Sequence, residues 1–135
     1  MSDTEDVLQV LERIRDGWER MDGRDVLACF EDDAHTVVIG TDEPEYWVGY
    51  DAFEPPFLEM AGTFSLAHYR WTDGPTVDLD GDVAWSTGKL FATFSSGDDR
   101  VELDMRTTHV LRRGADGWKI VQGHYSVAAA EPTTY

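Results

Sequence analysis

Two histidines near the C-terminal end carry the sharpest chemistry in this chain. His109 lies in the run from Val101 to Arg112. There Val101, Leu103, Met105, Thr107, His109 and Leu111 alternate with Glu102, Asp104, Arg106, Thr108, Val110 and Arg112. Such alternation belongs to a strand with one face against a core. The odd, apolar parity is the inward one, so His109 is expected on the inner face. On the next run Trp118, Ile120, Gln122, His124 and Ser126 share one parity, opposite Lys119, Val121, Gly123, Tyr125 and Val127. Taking Trp118 as inward places His124 inside as well. An imidazole in apolar surroundings can serve as a general acid or base, or hold an anion. Its alternative role is that of a neutral buried side chain with both nitrogens satisfied by neighbours. On the first reading His109 and His124 are the catalytic candidates.

The remaining polar residues offer less. Asp104 shares its parity with Glu102 and Arg106, which assigns it to solvent or a subunit interface. His35 and His68 read as structural or surface groups. Ser126 shares a face with His124, but no nucleophile elbow accompanies it. The chain has no His-x-His, Cys-x-x-Cys or His-Glu-x-x-His spacing, and no phosphate-cradling glycine loop or dinucleotide fingerprint. No metal and no cofactor are therefore expected. Cys29, the single cysteine, reads as a small buried apolar residue between Ala28 and Phe30. The aromatic residues Trp18, Trp47, Phe57, Tyr69, Trp71 and Trp118 suit either a core or the wall of a pocket for a flat apolar ligand. They are the ligand-binding candidates.

These side chains must be positioned by an α+β arrangement. Val7, Leu8, Leu11, Ile14 and Trp18 form one helical stripe, capped by Thr4 or Asp3 and running to about Met21. Arg24 to Phe30 reads as a short second helix, and Ala52 to Met60 as a third with Pro55 and Pro56 in its opening turn. Short strands are expected at His35 to Ile39 and Tyr46 to Val48. After Gly62 the pattern becomes β: Phe64 to Val77 with an irregularity at Asp73-Gly74-Pro75, then Val83 to Phe94, Val101 to Arg113 and Trp118 to Val127. Asp116-Gly117 marks the last hairpin. On the strand from Val83, the small residues Ala84, Ser86, Gly88 and Ala92 share a face with Leu90, opposite Trp85 and Phe91. Either face fits the inside. Ala128 to Tyr135 is expected to be a loose tail. The 135 residues fit one domain, 1–135.

Several segments, in order, resemble the SnoaL-like, nuclear transport factor two-like superfamily. They are the leading helix with Trp18, Gly23-Arg24-Asp25-Val26, Cys29-Phe30-Glu31-Asp32-Asp33-Ala34, Trp47-Val48-Gly49-Tyr50-Asp51-Ala52-Phe53, Gly81-Asp82-Val83-Ala84, and Arg106-Thr107-Thr108 before the closing Trp118 to His124 motif. The resemblance implies a cone: three N-terminal helices against a strongly curved, mainly antiparallel sheet, with a pocket at the wide end. It also implies a homodimer packed through the sheet. Three functions are compatible with it. The first is a domain binding a hydrophobic or aromatic small molecule. The second is a cyclase, isomerase or dehydratase with a pocket histidine as acid or base. The third is an association domain like that of calcium/calmodulin-dependent kinases, where an arginine stands in the place of His109. The Asp–Tyr pair of the ketosteroid isomerase branch is not visible here.

Charge narrows the partners. The chain has 27 acidic and 11 basic residues, a net of −16. Nucleic acid and anionic membrane both depend on basic contacts, so neither is an expected partner. No apolar run is long enough for a membrane helix. The acidic N-terminus lacks the pattern of a secretion signal, which makes the cytoplasm the default location. With 41% hydrophobic residues the chain can still sustain a core. A carboxylate-dense surface with two lysines resembles the proteins of salt-accumulating microbes. At molar salt the Debye length falls to about 3 Å, which screens self-repulsion. Thermal unfolding followed from dilute buffer to molar potassium chloride should therefore show a rising midpoint; a flat response would remove the salt-adapted reading.

Overall fold

The computed structural model describes residues 2–64 and 66–130. Helix α1 spans Asp3–Glu19, one residue earlier than the cap expected from sequence, because the Ser2 hydroxyl accepts the Glu5 amide at 3.2 Å. Asp3, Glu5 and Asp6 occupy its first turn, at the positive end of the helix dipole. Its buried stripe is Val7, Leu11, Ile14 and Trp18. Gly17 allows close approach of the next helix: a Cβ there would meet Val26 Cγ2 at 2.8 Å. Helix α2, Gly23–Leu27, is capped by Asp22. It stops short of Phe30, and i→i+3 bonds at Cys29 and Phe30 close its end. Helix α3 spans Tyr50–Thr63. It starts two residues earlier than expected, so Pro55 and Pro56 fall in its second turn. There each withholds an N–H from the helical ladder.

The strands are β1 (Val37–Ile39), β2 (Tyr46–Val48), β3 (Leu66–Asp80), β4 (Val83–Ser96), β5 (Asp99–Gly114) and β6 (Gly117–Ser126). They form one curved, unclosed sheet in the order β2-β1-β6-β5-β4-β3. All neighbours are antiparallel except β1 and β6, which run parallel, with Val38 opposite Gly123. The register of β3 against β4 shifts twice between Trp71 and Thr76, where the Gly74-Pro75 irregularity was expected. On β4 the ambiguity resolves toward the small residues: Ala84, Ser86, Leu90 and Ala92 are buried, while Trp85 is exposed.

The core lies between the helices and the concave face of the sheet. Phe53 and Phe57 of α3 pack on Phe30, Trp18 and Trp47. Leu111 and Ile120 are fully buried beneath α1 and α2. Ion pairs fasten the helices at the rim. Asp25 receives Arg13 at 2.6 Å and Arg20 at 2.9 Å, and Arg113 links Asp3 of α1 to Asp82 of the β3–β4 turn. Exposed pairs of this kind contribute little individually, because water and salt screen them. Among the described residues no helix is long and apolar enough to cross a membrane. Of the tail expected from Ala128, residues 131–135 lie outside the described residues.

Candidate functional site

A single extra residue in β6 decides which side chains meet. Leu111 pairs with Ile120, but Val110 pairs with Gln122, leaving Val121 as a bulge. A bulge reverses which parity faces the core beyond it. Trp118 and Ile120 point inward, as the alternation predicts. Past Val121 the inward residues are Gly123 and Tyr125. His124 is exposed on the outer face. The expectation that His124 joins His109 inside is therefore corrected, and Tyr125, which parity places outside, takes the interior position.

His109 is buried on the inner face. Its Nε2 lies 2.7 Å from the Tyr125 hydroxyl, with the rings edge to face at 5.3 Å. Gly123 stands directly opposite His109 in register, and a Cβ there would make ordinary van der Waals contact with the His109 ring and the Tyr125 side chain at 3.4–3.5 Å. Burial lowers the His109 pKa from 6.5 to about 4. The same desolvation holds the Tyr125 hydroxyl well above its ordinary value. Both groups are thus neutral near pH 7. Proton transfer from phenol to imidazole is disfavoured at rest, because burial opposes the charged form of each group. Among the described residues His109 Nδ1 has no hydrogen-bond partner, and neither does Ser86 Oγ, on the residue opposite it in β4.

Two spaces adjoin this pair. A void of about 10 Å³ is bounded by His109, Thr107, Trp71, Leu90 and Tyr125, on the scale of one water. On the other side of Tyr125 lies a cavity of about 190 Å³. Its walls are Trp18, Trp47, Phe57, Tyr69, Phe94 and Met105, and Tyr125 also borders it. The turn between β1 and β2 contributes Gly40, Thr41, Asp42 and Glu45 to its margin. Of the residues expected at a ligand site, Trp18, Trp47, Phe57 and Tyr69 thus converge on one space. Trp71 borders only the small void. Trp118 borders neither. It sits under the Arg113 guanidinium at 5.3 Å, beside the Gly114–Gly117 turn. His109 does not border the larger cavity, but its hydrogen-bond partner Tyr125 does. Tyr125, Glu45 and Asp42 escaped the sequence reading. The available signal was the apolar doublet Ile120-Val121 followed by Gly123, which breaks strict alternation.

A broader depression of about 580 Å³ lies at the β5–β6 hairpin, lined by Glu31, Arg112 and Lys119 among others. Its cations are already engaged: Arg112 bonds Glu31, and Lys119 donates to the Ala28 carbonyl at 2.7 Å. It gathers no aromatic wall beyond Phe30 and Tyr50. The thiol of Cys29 is buried and pushed up to about 11, which makes it unreactive.

A family model described as "SnoaL-like domain" matches residues 7–130. The chain belongs to the SnoaL-like family. No curated protein sequence matches it. Among solved structures, it is similar to a nuclear transport factor 2-like superfamily protein from Salmonella enterica serovar Typhimurium, at 18% identity and TM-score 0.85, covering 96% of this chain and 94% of that one. It is similar to a Streptomyces avermitilis protein whose name proposes a dehydratase, at 21% identity and TM-score 0.84, over 95% and 97% of the two chains. It is also similar to a Thiobacillus denitrificans protein whose name proposes a calcium/calmodulin-dependent kinase type II association domain, at 21% identity and TM-score 0.72, over 89% and 93%. At these identities the likeness carries the cone fold alone.

The His109 pKa gives a pH prediction. Between pH 6.5 and about 4 the unfolded chain binds a proton at His109 that the folded chain does not. Stability must therefore fall as pH drops through that window, by about 3 kcal/mol in full. Asp25, whose carboxylate is held low chiefly by its bond from Arg13, acts in the same direction at lower pH. The difference between wild type and His109→Gln isolates the histidine. Urea unfolding at pH 7 and pH 4 should show a loss in wild type about 3 kcal/mol larger than in the variant; equal losses would mean that His109 titrates normally.

Proposed function

We propose that this SnoaL-like domain binds a small hydrophobic or aromatic molecule in the 190 Å³ cavity. The observation that carries the reading is the convergence of Trp18, Trp47, Phe57 and Tyr69 on one space that a buried phenol, Tyr125, also borders. Apolar walls with one oriented polar group are the usual composition of ligand sites. The volume is below the roughly 300 Å³ at which sites for drug-sized ligands begin, so the ligand is a single ring or its equivalent. Tyr125 supplies a neutral hydrogen bond, and His109 fixes its direction.

One observation favours a second reading, an enzyme of the cyclase, isomerase or dehydratase kind. The 2.7 Å contact joins a buried imidazole to a phenol at the cavity. In that reading Tyr125 touches the substrate and His109 answers its proton. The opposed pKa shifts make the pair a weak base at rest, which is why binding is placed first. An association role is disfavoured by the open interior, since assembly needs no cavity.

The sheet's outer face supports a homodimer. Val83 and Trp85 are 41% and 44% exposed there, and the Arg70 guanidinium covers Phe91 at 5.4 Å. Packing this face against a second copy would remove the exposed indole from water.

Two measurements test these proposals. Titration with 2-phenylethanol, followed by tryptophan fluorescence, should give a Kd of about 1 mM or tighter, on the order of 0.5 kcal/mol per heavy atom. Leu103→Trp, which fills the cavity, should weaken that binding at least about tenfold while the melting temperature holds; unchanged affinity would move the ligand elsewhere. Sedimentation in molar salt should report a dimer for wild type and a monomer for Trp85→Asp. A wild-type monomer at micromolar concentration would end the dimer proposal.

A further inference from the structure

We propose that the cavity selects an organic cation, an ammonium group carried on a small ring or short apolar chain. This rests on the ligand-binding reading above and names its chemical class.

The charges around the cavity are of one sign. Asp42 and Glu45 border it, and among the described residues no Lys, Arg or His does. Neither carboxylate takes part in an ion pair among those residues, whereas Asp25, Glu31, Asp82 and Glu54 are each matched by an arginine. Glu45 is also held in place. The Gly40 amide donates to the Glu45 carbonyl at 2.7 Å, and the Asp42 amide donates to Glu45 Oε1 at 2.9 Å. Gly40 is what lets the side chain fold back across the turn, because a Cβ there would lie 2.5 Å from Glu45 Oε1. The half-buried Glu45 thus presents a fixed, unneutralised charge at the edge of an apolar space.

The walls suit the same ligand. Trp18 and Trp47 both lie against Phe57, at 5.4 and 6.1 Å between ring centres, and Tyr69 completes the group at 6.5 Å from Trp18. Aromatic faces gathered around a cavity attract a cation through their quadrupoles, most strongly where it is desolvated. Glu45 is felt inside: after burial itself, its charge is the next cause that raises the Tyr69 hydroxyl. A carboxylate ligand would meet repulsion from Glu45 and Asp42. A neutral ligand would meet neither attraction nor repulsion.

Three probes on one phenylethyl frame separate the outcomes: 2-phenylethylammonium, 2-phenylethanol and 3-phenylpropanoate, titrated by calorimetry in about molar potassium chloride to screen the protein's overall field. The ammonium should bind about tenfold tighter than the alcohol, and the carboxylate weaker than both. Glu45→Gln should erase the preference for the ammonium over the alcohol. Asp42→Asn should reduce it, and Asp104→Asn, which removes the same charge from the outer face, should leave it intact. Equal affinity for ammonium and alcohol, or a preference that survives Glu45→Gln, overturns the cation proposal and leaves the binding reading standing. An equal loss of preference in Asp104→Asn also overturns it, by tracing the effect to net charge. No binding of any probe overturns both.

Discussion

One inserted residue, Val121, sets the interior of this protein. Without the bulge, the parity of β6 would carry Trp118 and Ile120 through to Gln122 and His124. A second imidazole and a carboxamide would then enter an apolar space, and a tyrosine ring would turn to solvent. With it, Gly123 and Tyr125 face inward. The glycine stands opposite His109 and the tyrosine supplies its partner. Gly123 also lies opposite Val38 of β1, the parallel neighbour, so the position serves both sides of the strand. Bulges increase twist as well as shifting register. The same feature that selects the site residues thus helps to bend the sheet around the helices.

The distribution of charge follows from that neutral interior. The polar pair inside, His109 and Tyr125, avoids ionisation by burial, so no buried charge needs compensation. Acidic residues are left to the outside. Several are neutralised by arginines that tie helix to helix or helix to sheet, as Arg113 does between Asp3 and Asp82. Each pair contributes little, and the excess of carboxylates repels itself. Cohesion therefore comes from the apolar cluster of Trp18, Phe30, Phe53 and Phe57, not from the surface.

The elements were legible because their periodicity is strong. The helical stripe of Val7 to Trp18, the Asp116-Gly117 hairpin and the inward parity of β5 each follow one rule, and His109 was placed correctly by parity alone. Boundaries were less legible where caps compete: Ser2 outbids Thr4 and Asp3, and α3 begins at Tyr50 because Gly49 can hold φ +99. The site was half legible. Trp18, Trp47, Phe57 and Tyr69 come from four different elements and still meet, since large aromatics concentrate in the core of a cone. His124 failed for a local reason, a register shift invisible to a strict two-residue period. Trp71 and Trp118 failed because an aromatic residue facing inward need not face the same space. The acidic margin could not be read because Gly40 to Glu45 is a turn, where side-chain direction is set by hydrogen bonds.

These contrasts bear on how much of the function the fold can supply. The sheet and helices are shared with structures only about a fifth identical to this chain, so the cone tolerates replacement of most of its residues. On the binding reading proposed above, the polar character of a ligand would be set where this chain departs from regular structure. There are two around the cavity: the Val121 bulge, which delivers a neutral phenol, and the Gly40–Glu45 turn, which delivers fixed negative charge. A neutral hydrogen bond and an anionic margin are complementary demands. The first accepts a ligand's polar atom without adding charge to the interior; the second discriminates by charge where water still screens. Proton transfer at the phenol is opposed by the desolvation that keeps it neutral. A cationic ligand would shift that balance in the favourable direction, because positive charge nearby stabilises phenolate over phenol.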